Sequence, residues 1–203
     1  MNSKVCILDY GSGNVSSVFN MISRITNCVV SNNLADIHKS SHLVLPGVGS
    51  FNGAINKIKE KLPIKEIYSA VNSGLPFLGI CVGMQVLAEE GQEFGISEGL
   101  GWVQGKIKKL DNPEFKIPHI GWNNLIEISN HKLLENIDED DDFYFVHSYA
   151  FREIPNQYIL AKTDYGSKFP SIISRDNIFG VQFHPEKSQN SGLKLIRNFL
   201  LIK

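Results

Sequence analysis

Apolar residues along this chain first gather into unbroken runs and then recur every three or four positions. Residues 5–10, apolar but for Asp9, read as a first, buried strand, broken at Gly11, Ser12, Gly13 and Asn14. Val15, Val18, Phe19, Ile22 and Ile25 follow at helical spacing. Short runs at 28–30 and 42–45 predict two further strands. A helical region over 54–73, interrupted near Leu62 and Pro63 and closed by Gly74, leads into an apolar strand over 75–80. Residues 84–89 are rich in helix formers and predict a helix directly after it. The resulting order, β-α-β-β-α-β-α, is the rhythm of a parallel sheet with helices packed on it.

The second half changes character. Strand-like runs at 102–107, 116–120, 124–128, 143–150, 158–162 and 171–174 are separated by turn residues, which predicts hairpins. A last strand over 178–183 ends in His184, Pro185 and Glu186. Leu193, Ile196, Phe199 and Leu200 then form an apolar helical stripe that should pack back on the sheet. The expected fold class is α/β, a mostly parallel open sheet flanked by helices with an added hairpin-rich second half. One domain over 1–203 is expected, with no repeat or interdomain linker.

Composition narrows the function classes. The 203 residues are 42% hydrophobic and 20% charged, ordinary values for a soluble globular chain. A net charge of -1 gives no electrostatic case for nucleic acid or an anionic membrane surface. Cys6, Cys28 and Cys81 form no Cys-x-x-Cys pair, which argues for a reduced, cytoplasmic protein without a disulfide framework. The chain runs directly into a strand, so no signal peptide is expected, and no apolar run suffices to span a bilayer. The five acids at 138–142 could bind a cation, but a solvated turn is the expectation, and no metal or cofactor is predicted.

The chemistry centres on Gly79-Ile80-Cys81-Val82-Gly83. Strand before, helix after and glycines on both sides make a nucleophile elbow, a sharp turn that lifts one side chain above the sheet edge. A cysteine there would sit where free helix N–H groups favour a thiolate and can hold an oxyanion. The plain alternative is a buried cysteine in a glycine-rich core turn, and a partner base decides between them. His184 stands at the end of an apolar strand, where sites collect in open α/β sheets, with Glu186 two residues on to orient it. His38, His42 and His131 compete poorly, and His119 and His147 could face the site or fill the core. Gly11-Ser12-Gly13 invites a dinucleotide reading, but Ser16 replaces the third glycine and no acid closes the second strand. A tight strand-to-helix turn explains it.

The elbow motif, extended through Met84 and Gln85, resembles that of class I glutamine amidotransferases, as do Pro46-Gly47-Val48-Gly49 and His184-Pro185-Glu186. They occur in the family's order across nearly the whole chain. Asp9-Tyr10-Gly11-x-Gly13-Asn14, Pro118-His119-Ile120-Gly121-Trp122-Asn123, Tyr144-Phe145-Val146-His147-Ser148-Tyr149 and His184-Pro185-Glu186-Lys187-Ser188 are similar to the glutaminase subunits of imidazole glycerol phosphate synthases. Val82 and Ala88 depart mildly from the leucine and the larger apolar residue common there.

The resemblance implies a flavodoxin-like domain that hydrolyses L-glutamine and passes ammonia to a (β/α)8-barrel synthase subunit in a heterodimer of histidine biosynthesis. It implies Cys81 as nucleophile, His184 as base and Glu186 as its anchor. Val82 with Val48 or Gly49 would form the oxyanion hole, and Gln85, Glu93 and Ser148 would hold the substrate. The 46–49 loop would be a switch that flips one peptide. Asn14, Trp122 and Lys187 are candidates for the partner face. For Gln85 the plain alternative is an exposed helix residue, and for Trp122 a core aromatic. Three rivals stand beside this reading: a paralogue feeding ammonia to amidination of a surface sugar, a cysteine peptidase on the same architecture, and a non-catalytic interaction domain.

Overall fold

The computed structural model describes residues 4–11, 13–111 and 115–203. Ser12, part of the first sequence-predicted turn, lies outside them. Strands β1 (Lys4–Leu8), β2 (Asn27–Ser31), β3 (His42–Gly47) and β4 (Phe77–Cys81) alternate with helices α1 (Val15–Ile22), α2 (Leu34–His38), α3 (Phe51–Lys61) and α4 (Ile64–Asn72). The short α2 adds an element to the sequence-predicted order, capped by Asn33, whose side chain accepts from the Ala35 N–H. Pro63 divides α3 from α4, as the interruption near Leu62 and Pro63 anticipates. After β4 comes α5 (Val82–Gln85), then β5 (Glu90–Gly91), β6 (Ser97–Glu98), β7 (Lys106–Lys109), β8 (His119–Asn124), β9 (Asp142–His147), β10 (Tyr149–Arg152), β11 (Ile159–Asp164), β12 (Lys168–Arg175), β13 (Ile178–Val181) and α6 (Gln189–Leu201).

Among the described residues the main sheet has seven strands in the order β11-β12-β13-β4-β3-β1-β2. From β13 to β2 all pairs are parallel, and β12 and β11 extend the sheet antiparallel. Strands β3 and β4 are buried at every residue, the continuous apolar pattern of a sheet covered on both faces. Pro46 lies in β3 beyond its last partner in β1, so its missing N–H breaks no bond on that side. The C-terminal β13 slots beside β4, with Val181 opposite Ile80. That pairing carries the 178–186 segment to the end of the elbow strand.

Several sequence expectations shift. The helix predicted over 84–89 stops at Gln85, because the next backbone groups are taken by the 99–105 loop. Leu100 N–H donates to Val86 O at 2.8 Å, Val103 N–H to Leu87 O at 2.9 Å and Glu89 N–H to Gly105 O at 3.1 Å. The strand expected over 102–107 therefore begins only at Lys106, and the Trp102 ring packs on Phe77 and Tyr68 instead. The run 116–120 becomes a strand from His119, and 124–128 is reduced to one bridge between Ile126 and Lys162. The single strand expected over 143–150 is two, because Ser148 interrupts it: β9 pairs with β8 in a ribbon, while β10 joins β7, β5 and β6 in a small second sheet. In the acidic run, Asp141 is no solvated turn residue. It is nearly buried and accepts from Ser191 Oγ at 2.8 Å and Lys194 Nζ at 2.9 Å, tying the run to α6. No group of three potential ligands able to hold a metal occurs among the described residues.

Two glycines let the elbow lie against β3. A methyl on Gly79 would overlap the Gly83 backbone, and a methyl on Gly83 would overlap the Leu45 carbonyl oxygen. Gly83→Ala is therefore expected to lower unfolding free energy by about 3 kcal/mol, as an overpacked core site does. Urea denaturation followed by circular dichroism measures it, and an unchanged midpoint would show that the two segments do not touch.

Candidate active site

Cys81 closes β4 and precedes the first residue of α5. Its backbone sits at φ 54 and ψ -113, a region that a residue with a Cβ occupies only under strain. The strain is maintained by the β3–β4 pairing behind it and by the glycine contacts below it. Helix α5 is only four residues long, too short for a substantial dipole at the sulfur.

His184 follows β13, and its backbone is clamped on both sides. Its N–H donates to Tyr144 O at 2.9 Å, and its carbonyl accepts from Ser188 Oγ at 2.6 Å. The same Ser188 oxygen accepts from Tyr144 N–H at 3.0 Å, which locks the turn to β9. The imidazole Nδ1 bonds Glu186 Oε1 at 2.8 Å, and Asn14 Nδ2 donates to that same oxygen at 3.1 Å. Glu186 Oε2 is buried and has no partner among the described residues. With Nδ1 committed, Nε2 is the free ring nitrogen, and it too is buried without a hydrogen bond of normal geometry. Burial disfavours the imidazolium, but the adjacent Cys81 side chain and the Glu186 carboxylate outweigh it and push the His184 pKa up to about 10.

Cys81 and His184 open into a cleft of about 280 Å³, whose wall also includes Val48, Gly49, Val82, Gln85, Glu93 and Ser148. The structure thus gathers the sequence-predicted nucleophile, base, oxyanion and substrate candidates around one space. Gly49 adopts φ +90 with open space where a Cβ would stand, and Val48 is partly exposed. Gln85 is buried rather than exposed: its Nε2 donates to Tyr149 O at 2.8 Å and to Gln182 Oε1 at 3.1 Å. Glu93 Oε2 accepts from Phe51 N–H at 2.7 Å, which ties the cleft rim to the start of α3.

The partner-face candidates separate. Asn14 is held at the Glu186 carboxylate. Trp122 is 48% exposed, which removes the core alternative, and packs edge-on against Tyr144 at 5.9 Å. Lys187 Nζ lies over the same Tyr144 ring at 5.4 Å, so these two share a surface patch that Ile120 extends.

His119 and His147, undecided from sequence, form a buried chain. His147 Nδ1 reaches Tyr149 O at 2.9 Å, and because a carbonyl only accepts, that nitrogen carries the proton. His147 Nε2 is then an acceptor and His119 Nδ1, at 3.1 Å, its donor. Burial lowers the His119 pKa to about 4 and that of His147 to about 3, so both rings are neutral at pH 7. Unfolded, both titrate near 6.5. The unfolded chain therefore binds protons first, and the stabilisation present above pH 6.5 is lost as pH falls toward 4 and 3. The loss is expected to be on the order of a few kcal/mol by about pH 4.5. Urea titrations at several pH values should show His119→Gln flattening that slope, whereas an unchanged slope would mean that the ring is not held neutral.

The family model for "Glutamine amidotransferase class-I" matches residues 6–203. The imidazole glycerol phosphate synthase subunit HisH of Pelagibacter ubique is 43% identical, covering 97% of this chain and 98% of its own. The imidazole glycerol phosphate synthase subunit HisH 1 of Campylobacter jejuni is 42% identical over 97% and 98%. Among solved structures, PurLQS from Thermotoga maritima superposes with a TM-score of 0.76 at 18% identity, covering 98% of each chain, a likeness of fold. With its strained cysteine elbow and buried imidazole–carboxylate pair in one cleft, this chain belongs to the class I glutamine amidotransferases, within the group of imidazole glycerol phosphate synthase HisH subunits.

Proposed function

We propose that this chain is the glutaminase subunit of an imidazole glycerol phosphate synthase. In this reading the Cys81 sulfur attacks the side-chain amide carbon of L-glutamine. The C–N bond breaks as His184 gives its proton to the nitrogen, which leaves as ammonia. Water, deprotonated by His184, then attacks the thioester, glutamate departs and the proton returns to sulfur. Glu186 keeps the imidazole oriented, and Asn14 steadies Glu186. The Val82 N–H and an N–H of Val48 or Gly49 hold the oxyanion, each donor contributing roughly 3 kcal/mol of barrier lowering. Gln85, Glu93 and Ser148 hold the substrate's amino-acid end.

What supports this most directly is the opening of Cys81 and His184 onto one cleft, with His184 bonded to Glu186 behind it. A barrel-shaped synthase subunit receives the ammonia, and the exposed patch of Trp122 and Lys187 is the proposed contact face. The rival reading is a paralogous subunit that feeds amidination of a surface sugar. The glutamine site would be the same in both.

Glutamine-dependent ammonia release, assayed with and without a candidate barrel subunit and its ribonucleotide ligand, tests the proposal. Cys81→Ala is expected to cut kcat at least about 10³-fold. Stimulation by the barrel is expected to depend on Trp122. Hydrolysis equally fast without the partner would overturn the switch role of the 46–49 loop. Release from small peptides instead of glutamine would favour the peptidase reading. A chain whose gene loss creates no histidine requirement would favour the sugar pathway.

A further inference from the structure

The sulfur of Cys81 has a hydrogen-bond donor that the triad does not include. Gln182 Nε2 lies 3.8 Å from Cys81 Sγ, within reach for an N–H bond to sulfur. Gln182 is completely buried, so water does not offer its amide an alternative. Its position follows from the sheet: it is the residue after Val181, whose partner is Ile80, and so comes level with Cys81.

Which end of the amide faces the sulfur is fixed by a directional chain. Tyr149 O can only accept, so Gln85 turns its nitrogen toward it at 2.8 Å. The second hydrogen on that nitrogen goes to Gln182, 3.1 Å away, which must therefore present its oxygen. The nitrogen of Gln182 is left for Cys81. Reversing Gln85 would set oxygen against oxygen, and reversing Gln182 alone would set nitrogen against nitrogen, inside a buried site where each such unsatisfied contact is costly. Tyr149 O is itself anchored by His147 Nδ1 at 2.9 Å, so the chain begins in the neutral histidine pair.

We propose that Gln182 is a positioning residue of the nucleophile, its side-chain N–H fixing the Cys81 sulfur in the cleft and favouring the anionic sulfur over the thiol. The proposal rests on Cys81 being the nucleophile. A donor to an ionised group strengthens as the charge appears, whereas the same contact to a neutral thiol is weak. Gln182 thus supplies on one side of the sulfur what His184, two residues later in the same segment, supplies on the other.

The test follows alkylation of Cys81 by iodoacetamide in the purified full-length chain across pH, quantified on the Cys81 peptide by mass spectrometry. Gln182→Met, similar in size but without a donor, is expected to move the pH profile alkaline by about one unit, roughly a tenfold change in the anionic fraction. Gln182→Glu, which sets an oxygen against the sulfur, is expected to move it further. Profiles identical to wild type in folded variants would overturn the proposal. A measurement on the unaltered protein needs no variant to fold: the ¹⁵N shift of the Gln182 side-chain amide should change with the ionisation of the sulfur across the same pH range. An amide shift flat across the titration would equally overturn it. Failure of the underlying reading looks different, because Cys81→Ala would then keep its glutamine hydrolysis.

Discussion

The parallel pairing of β4 with β13 is the interaction on which the rest of the site depends. Roughly a hundred residues of chain separate Cys81 from His184, and the register Val181 to Ile80 brings them level. Closing so long a loop costs entropy that local contacts do not recover. The return comes from strands buried on both faces, with the antiparallel pair β12 and β11 extending the sheet beyond β13. The hairpin-rich second half is therefore part of the machinery: it shields β13 from being an edge strand, and β9 of its ribbon grips the His184 turn through Tyr144 and Ser188.

Around that pairing the side chains are held by over-determination. Cys81 stays in a strained backbone region because two glycine approaches and the β3 pairing leave the elbow no other path. His184 is fixed at its N–H, its carbonyl and one ring nitrogen. Gln85 and Gln182 are fixed by each other and by the Tyr149 carbonyl. Gly49, by contrast, adopts a left-handed backbone that borders open space at the rim of the cleft.

Much of this was legible in the sequence, for identifiable reasons. Gly-x-Cys-x-Gly between an apolar run and helix formers describes a turn with few alternatives, and the apolar run ending in His184 could only be an interior strand. The residues of 84–89 favour helix in isolation, but in the fold the 99–105 loop competes for their backbone groups. The break at Ser148 was hidden because both flanking segments are equally strand-like, and only the transfer from β8 to β7 separates them. Gln85 carried a motif signal, but its burial did not, since a polar side chain on a short helix reads as exposed. Gln182 left no pattern of its own, and His119 and His147 stand in motifs that do not show their pairing: all three are polar residues in strands or at strand ends whose partners lie far along the chain.

One feature of the carboxylate reaches further. Both donors, the His184 ring and the Asn14 amide, converge on Oε1 of Glu186, and Oε2 sits in the interior with none. Behind the imidazole, Glu186 borders a hollow also walled by Ser17, Asn20 and Arg24 of the first helix and the turn that follows it. The aim of the imidazole is thus governed from the side of the first helix, through Asn14 and a single carboxylate oxygen, at a place that a molecule filling the cleft does not touch.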